Sequence, residues 1–333
     1  MEDTDISNFT IIKKSFSKYL ITFCKQRPVI ILFIIYIIVA LIFVPKFANP
    51  ENLLNIIVQS SDLIILSCGM TYVFLNGGID FSVVATMALA SVIGALIMTS
   101  GGNIALMIPL AIIAMMGVGL IIGTINGISV TRLKMPSFIA TLSTQLIFSG
   151  IALTITQSAT IGNVPKEFNY IAQGTLLGIP IPIIITVVVV IIMSYLLHFT
   201  VFGRYVFSVG TNHKTSYISG VPVKKTIFSL FIISGLLAAL TSIIMTARLG
   251  SGIPSLGKDM LLDTVAAVLI GGTSVAGGRG NIIGSVVGAI LVVILNNSLN
   301  LMNVDWFIIN ICKGTLILGV AFFDIIRNRF YRS

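Results

Sequence analysis

From residue 28 to residue 323 the chain alternates long apolar runs with short polar breaks. A helix that crosses the hydrocarbon of a bilayer needs roughly 20 apolar residues. Segments of about that length occur at 28–44, 53–75, 79–99, 104–130, 136–157, 179–199, 226–247, 260–276, 281–300 and 304–323. The pattern predicts an all-α fold, a polytopic membrane bundle of about ten transmembrane helices. Gly, Asn or Asp interrupts several segments and some are separated by only a few residues, so broken or re-entrant helices are expected among them. Four spans after the first and four after the sixth run in opposite senses, which is the layout of an inverted repeat.

Composition agrees with a lipid environment. The 333 residues are 56% hydrophobic and 9% charged, with a mean hydropathy of +1.07, whereas soluble domains are usually about 25% charged. No long polar stretch divides the apolar runs. The chain therefore reads as a cytoplasmic segment 1–27, one transmembrane domain 28–323 and a cytoplasmic tail 324–333. A basic stretch before the first apolar run resembles a signal peptide, but no A-x-A cleavage site follows, and the run is expected to stay as an uncleaved span.

The net charge of +9 raises the question of nucleic acid, which basic patches bind through phosphates. Its distribution points elsewhere, to topology and the lipid bilayer, with no nucleic-acid partner. With the N-terminus placed inside, the cytoplasmic side collects Lys13, Lys14, Lys18, Lys25 and Arg27, then Arg132 and Lys134, then Arg204, Lys214, Lys224 and Lys225, then Arg279, and finally Arg327, Arg329 and Arg332. The outside collects only Lys46, Lys166, Arg248 and Lys258, and Lys313 falls within the last span. Retention of positive charge in the cytoplasm then predicts that both termini are inside.

Two connections are long. Residues 161–178, with Lys166 and Glu167, fall outside; residues 200–225 fall inside and are polar enough to lie in water. A short helix is expected there around Asn212 to Ile218, and this loop is the expected partner-binding element.

Polar residues inside the spans are few: Gln59, Asp62, Asn76, Asp80, Asn126, Thr141, Gln145, Asp263, Asn296, Asn297 and Asn300. Such residues face a bundle interior, bond across helix interfaces or line a solute path. Asp80 and Ser82 follow two glycines in NGGIDFSV, where an oxygen side chain can cap a helix whose free amides meet no water. Gly271, Gly272, Gly277 and Gly278 in GGTSVAGGRG lack the following Lys-Ser or Lys-Thr of a phosphate loop, so close packing and a tight turn explain them. Cys24, Cys68 and Cys312 make no C-x-x-C pair and are read as packing residues rather than a disulfide or metal site. His198 and His213 have no catalytic or metal-ligating companions. No enzyme chemistry and no cofactor are expected on this chain.

The stretches NGGIDFSV (76–83), PSFIATLS (136–143), GRYVFSVGTN (203–212), SGVPV (219–223), LLDTVAAVLIGGTSVAGGRG (261–280) and LNNSLNLM (295–302) together resemble the ribose-type sugar ABC transporter permeases. They cover nearly the whole chain in the right order. The resemblance implies a permease that pairs with a second permease copy, binds a cytoplasmic ATPase that holds the ATP, and receives sugar from an extracytoplasmic binding protein. It also implies a short coupling helix within Gly210 to Val221. The coupling residues then comprise Gly203, Arg204, Gly210, Asn212, His213, Lys214, Thr215, Ser216, Ser219 and Gly220. A pair of alanines is usual after the loop Asn in this family, and Thr215 and Ser216 stand there instead. An uncharged path for a sugar is assigned to Asn76, Asn126, Gln145 and Asn297. A branched-chain amino acid permease is the nearest alternative. An ion-coupled secondary transporter is another, with Asp62 and Asp263 as its only candidate coupling carboxylates.

Overall fold

A computed structural model describes residues 28–330; the N-terminal lysines, Cys24, Arg27 and Arg332 lie outside the described residues. Each apolar segment forms a helix. In chain order the helices are α1 (Pro28–Phe43), α2 (Pro50–Leu75), α3 (Val83–Thr99), α4 (Ile104–Thr131), α5 (Ser137–Thr156), α6 (Lys166–Gln173), α7 (Ile181–Phe199), α8 (Val201–Thr211), α9 (His213–Ile218), α10 (Val223–Leu249), α11 (Met260–Ile270), α12 (Ile282–Leu301) and α13 (Trp306–Phe330). Strands β1 (Thr175–Leu176) and β2 (Ile179–Pro180) form a small antiparallel hairpin between α6 and α7. Among the described residues, α2, α4, α5, α7, α10 and α12 are long and apolar enough to cross a membrane.

Several boundaries differ from the sequence expectation. The third span begins at Val83 rather than residue 79, because Asn76 to Ser82 make a turn. The eighth ends at Ile270 rather than residue 276. Its 11 residues extend about 17 Å, roughly half the hydrocarbon thickness. The connection 200–225 is largely helical, since α8 buries Gly203, Val206 and Val209. The 161–178 connection contains α6, and α13 runs on to Phe330.

The bundle has two ends. α9 precedes α10 at one of them. At the other, Gln173 of α6 donates to the Arg248 carbonyl (3.4 Å) near the C-terminus of α10, and Ile161 and Gly252 exchange both backbone hydrogen bonds. These are called the α9 end and the α6 end.

Helix neighbours follow a symmetric pattern. α2 packs along α10, α11 and α12, while α10 packs along α2, α3 and α4. α3 lies against α4 and α5, and α11 against α12 and α13. Exchanging α2 with α10, α3 with α11, α4 with α12 and α5 with α13 reproduces these neighbours. α2 runs toward the α9 end and α10 away from it, so the two sets form an inverted repeat. In each set a long helix is followed by an irregular dip and then a short helix. The dips at 76–82 and 251–259 bury Asp80, Ser82 and Leu256, as membrane-depth backbone outside a helix requires. Residues from both dips and both short helices, including Ile79, Val84, Met87, Leu256 and Val268, share one apolar cluster.

Close packing is made by small residues. A Cβ added to Gly123 of α4 would lie 2.6 Å from the Phe231 carbonyl oxygen of α10, and one on Gly119 would strike the Gly235 carbonyl. Without a hydrophobic drive between helices in lipid, such backbone approaches and the interhelical hydrogen bonds they permit hold the bundle. Ser242 donates to the Met87 carbonyl and Thr246 to Ser91 Oγ, both at 2.7 Å, joining α10 to α3. Thr71 donates to Ser285 Oγ at 2.7 Å, joining α2 to α12. Cys68 is fully buried among these helices.

Gly123→Leu is predicted to force α4 and α10 apart and destabilise the fold by about 1–3 kcal/mol. It should lower the midpoint of a thermal melt in detergent, whereas Gly117→Leu, with nothing within 4 Å of the added Cβ, should leave it unchanged.

Candidate functional site

The polar connection predicted to bind a partner folds into a compact element at the α9 end. α7 stops at Thr200, whose Oγ1 accepts from the Gly203 amide (3.3 Å) and so starts α8. Gly203 has no room for a side chain, since a Cβ there would strike the Leu197 carbonyl. Asn212 breaks α8 in an extended conformation, and its Oδ1 accepts from the Thr215 amide (3.0 Å), capping α9. Ser216 turns inward, buried, and bonds Ser208 Oγ at 2.8 Å. After Ser219, Gly220 takes φ +78°, and the Val221 amide returns to the Ser216 carbonyl (3.0 Å). A helix of six residues is held in this way by a cap at each end and a serine pair beneath it.

The element is anchored to both halves of the inverted repeat. A side chain at Gly210 would strike the Leu75 carbonyl at the end of α2, and that same carbonyl accepts from the Gly278 amide at 2.8 Å. Gly277 and Gly278, at φ +83° and +72°, therefore turn the α11–α12 connection onto the α8–α9 junction. Gly271 packs against Gly284 of α12, and Gly272 (φ +85°) ends α11. Tyr72 of α2 adds a bond to the Met193 carbonyl (2.6 Å) and stacks with Phe202 of α8 at 6.2 Å. His198 reaches Asn281 Oδ1, the N-cap of α12, at 3.2 Å.

The surface so presented is apolar at its tip and basic at its rim. Tyr217 and Ile218 are each 75% exposed, and His213 and Lys214 beside them are exposed as well. Arg204, Lys224, Lys225 and Arg279 are exposed on the same end, with Arg132 and Lys134. The two ion pairs found among the described residues both lie elsewhere. A partner that fits this surface offers an apolar pocket bordered by carboxylates.

The four residues assigned to a solute path fall in separate places. Asn76 caps α2 near the α9 end, with its Oδ1 buried and unpartnered. Gln145 on α5 likewise has a buried Oε1 without a partner. Asn126 is fully buried and bonded on both sides, donating to Ser82 Oγ (2.7 Å) and accepting from Thr144 Oγ1 (2.8 Å). Asn297 pairs with Asn52 of α2 through two amide hydrogen bonds of 2.8 and 3.1 Å. Asp80 Oδ1 accepts from both the Ser82 amide (3.0 Å) and the Ser82 hydroxyl (2.6 Å), which closes a turn just ahead of α3. The Ser82 side chain makes no bond to the free amides of α3.

Sequence reasoning did not anticipate the partners of the two membrane carboxylates. Arg248 at the end of α10 forms an ion pair with Asp62 of α2 and also donates to the Val58 carbonyl (3.3 Å). Lys313 of α13 pairs with Asp263 of α11 at 3.0 Å, and Asn296 of α12 donates to the same carboxylate (3.0 Å). Each membrane carboxylate thus has a cation within hydrogen-bond reach. The signal available in the sequence was the presence of Arg248 and Lys313 within or beside apolar runs, where cations are expensive unless paired.

Interrupted helices in symmetric positions of an inverted repeat are the layout of a membrane transport fold. Comparison with known proteins identifies which. Residues 52–321 match the family described as "Branched-chain amino acid transport system / permease component", and the chain belongs to this family. Over 302 residues, 90% of this chain and 92% of the relative, it is 40% identical to the ribose import permease protein RbsC of Bacillus subtilis. It is 37% identical to RbsC of Haemophilus influenzae over 97% of this chain and 98% of the relative. It is 34% identical to the D-allose transport system permease protein AlsC of Escherichia coli over 84% of each. No solved structure matches it significantly. The resemblance carried by the six sequence motifs is thus borne out, and the relatives favour it over the amino acid alternative.

Asn212→Ala is predicted to destabilise α9 by about 1 kcal/mol through loss of its cap. The change should appear as faster hydrogen exchange at the Thr215 amide, with exchange in the α2–α12 core unaltered.

Proposed function

We propose that this chain is the permease subunit of an ATP-driven importer for a monosaccharide of the ribose, allose or xylose kind, set in a bacterial inner membrane with both termini and α9 in the cytoplasm. The observation that carries the reading is the anchored α8–α9 element in a chain that is 40% identical, over nine-tenths of its length, to a ribose import permease. A separate cytoplasmic ATPase takes Tyr217 and Ile218 into an apolar cleft and binds the ATP. A sugar-binding protein docks at the α6 end. A second permease, identical or related, completes the complex.

The mechanism follows from the anchoring. When the ATPase closes on ATP, α9 moves with it. The Gly210–Leu75–Gly278 contacts pass that movement at once to the end of α2 and to the α11–α12 connection, one element from each half of the repeat. The two halves then exchange which side of the membrane the path faces, a shift of population between pre-existing arrangements. A sugar needs hydrogen-bond acceptors that hold it weakly. The unpartnered oxygens of Asn76 and Gln145 suit that role better than Asn126 or Asn297, whose amides are occupied within the protein.

The test is ATP hydrolysis by the purified complex in lipid, formed with candidate ATPase subunits and titrated with binding proteins loaded with different sugars. One loaded binding protein is expected to stimulate hydrolysis, and Tyr217→Ala with Ile218→Ala should abolish the stimulation without unfolding the permease. Assembly and stimulation that survive the double substitution would remove α9 as the coupling element. A permease that binds no ATPase would remove the importer reading.

A further inference from the structure

The inverted repeat places two polar clusters in equivalent positions. One joins the start of α3 to α4 and α5: Asp80 bonds Ser82, Ser82 bonds Asn126, and Asn126 bonds Thr144. The other joins α11 to α12 and α13: Asp263 bonds Asn296 and Lys313. Asn126 lies five residues before the end of α4, and Asn296 five before the end of α12. Thr144 is the eighth residue of α5, and Lys313 the eighth of α13. An aspartate near the short helix, an asparagine on the next span and a polar residue on the span after that recur in both halves, at opposite ends of the bundle.

The equivalence has a physical reason. Among the described residues, α5 and α13 are the outermost spans of their sets and meet few other helices. Much of their surface is apolar and exposed, with Leu146 at 69%, Ile147 at 57%, Phe307 at 74% and Ile311 at 67%. Gly150 of α5 and Gly314 and Gly319 of α13 have nothing within 4 Å of an added Cβ, so these spans lack the close backbone approach that fixes α4 on α10, and directional polar contacts carry more of their register and tilt. Thr144 supplies that contact for α5 through the Asn126 amide. Lys313 supplies it for α13 through the Asp263 carboxylate, with side-chain exposures of only 14% and 12%.

We infer that Asp263, Asn296 and Lys313 are positioning residues that pin α13 to the α11–α12 pair, as Ser82, Asn126 and Thr144 pin α5 to the α3–α4 pair. Each set of one short helix and two spans then moves as one body during transport. The charge pair is the stronger pin, because separating the two ions leaves each in a low-dielectric environment. The inference rests on the importer reading only for its transport consequences; the geometry of the pin stands apart from it.

The experiment uses the full permease in lipid nanodiscs with its ATPase. Spin labels at the exposed positions Leu262 and Ile308 report the α11–α13 separation. A narrow distance distribution is expected for the parent, a broadened one for Lys313→Met, and a restored narrow one for Lys313→Arg, which keeps the charge. In proteoliposomes, Lys313→Met should raise ATP hydrolysed per sugar moved roughly fivefold or more, the scale of a lost allosteric coupling, with Lys313→Arg near the parent ratio. Asn126→Ala, with labels at Leu120 and Leu142, should reproduce the broadening in the other set. An unchanged distance distribution in Lys313→Met overturns the inference, as does an α11–α13 separation that shifts between nucleotide-free and ATP-bound parent. Failure of the parent complex to move sugar would count against the importer reading while the distance result still decides the pin.

Discussion

The constraint on which the rest depends is the absence of water around the backbone. In hydrocarbon, every amide and carbonyl needs a partner within the protein, so a helix that stops inside the membrane must be covered by its neighbours. α3 and α11 start from irregular dips inside the bundle, and both dips are sealed by the same apolar cluster and by side-chain oxygens. Satisfying one such break demands a surrounding shell of helices. Two breaks in symmetric positions produce the interleaved pairing in which α2 belongs by sequence to the first set and packs against the second, while α10 does the reverse. Small residues make that interleaving possible, since Gly119, Gly123 and Gly235 leave no space for any side chain between α4 and α10.

The same geometry ties a short surface helix to both halves of the bundle. Gly210 and Gly278 both meet the carbonyl of Leu75, which puts the end of α2, the α11–α12 connection and the α8–α9 junction within one backbone contact. A side chain at either glycine would separate them. α9 has little stability of its own at six residues; its caps and the Ser208–Ser216 pair fix it to α8, and α8 is in turn fixed by Tyr72 and Phe202.

Much of this was legible in the sequence. Ten apolar segments became ten helices, because hydropathy over a span's length reports the solvent directly. The α9 helix was legible around Asn212 to Ile218, because its connection stood out by length and polarity on the side expected to be cytoplasmic. The end of α11 at Ile270 was not, since Val275 and Ala276 continue the apolar pattern while Gly271 and Gly272 turn the backbone. The ion pairs were not legible either: Asp62 and Arg248 are far apart in sequence, and only the antiparallel packing of α2 and α10 brings them together. For Asn126 the sequence allowed both helix bonding and a path role, and its two bonded neighbours, Ser82 and Thr144, become apparent only once α3 and α5 are folded against α4.

The most direct test of the account is sugar uptake by proteoliposomes holding the permease, its ATPase and its binding protein, with ATP supplied on one face at a time. The account predicts uptake only when ATP is on the face that carries α9 and the loaded binding protein on the opposite face, with no loss on addition of a protonophore. Uptake that proceeds without ATP and collapses with the proton gradient would contradict it.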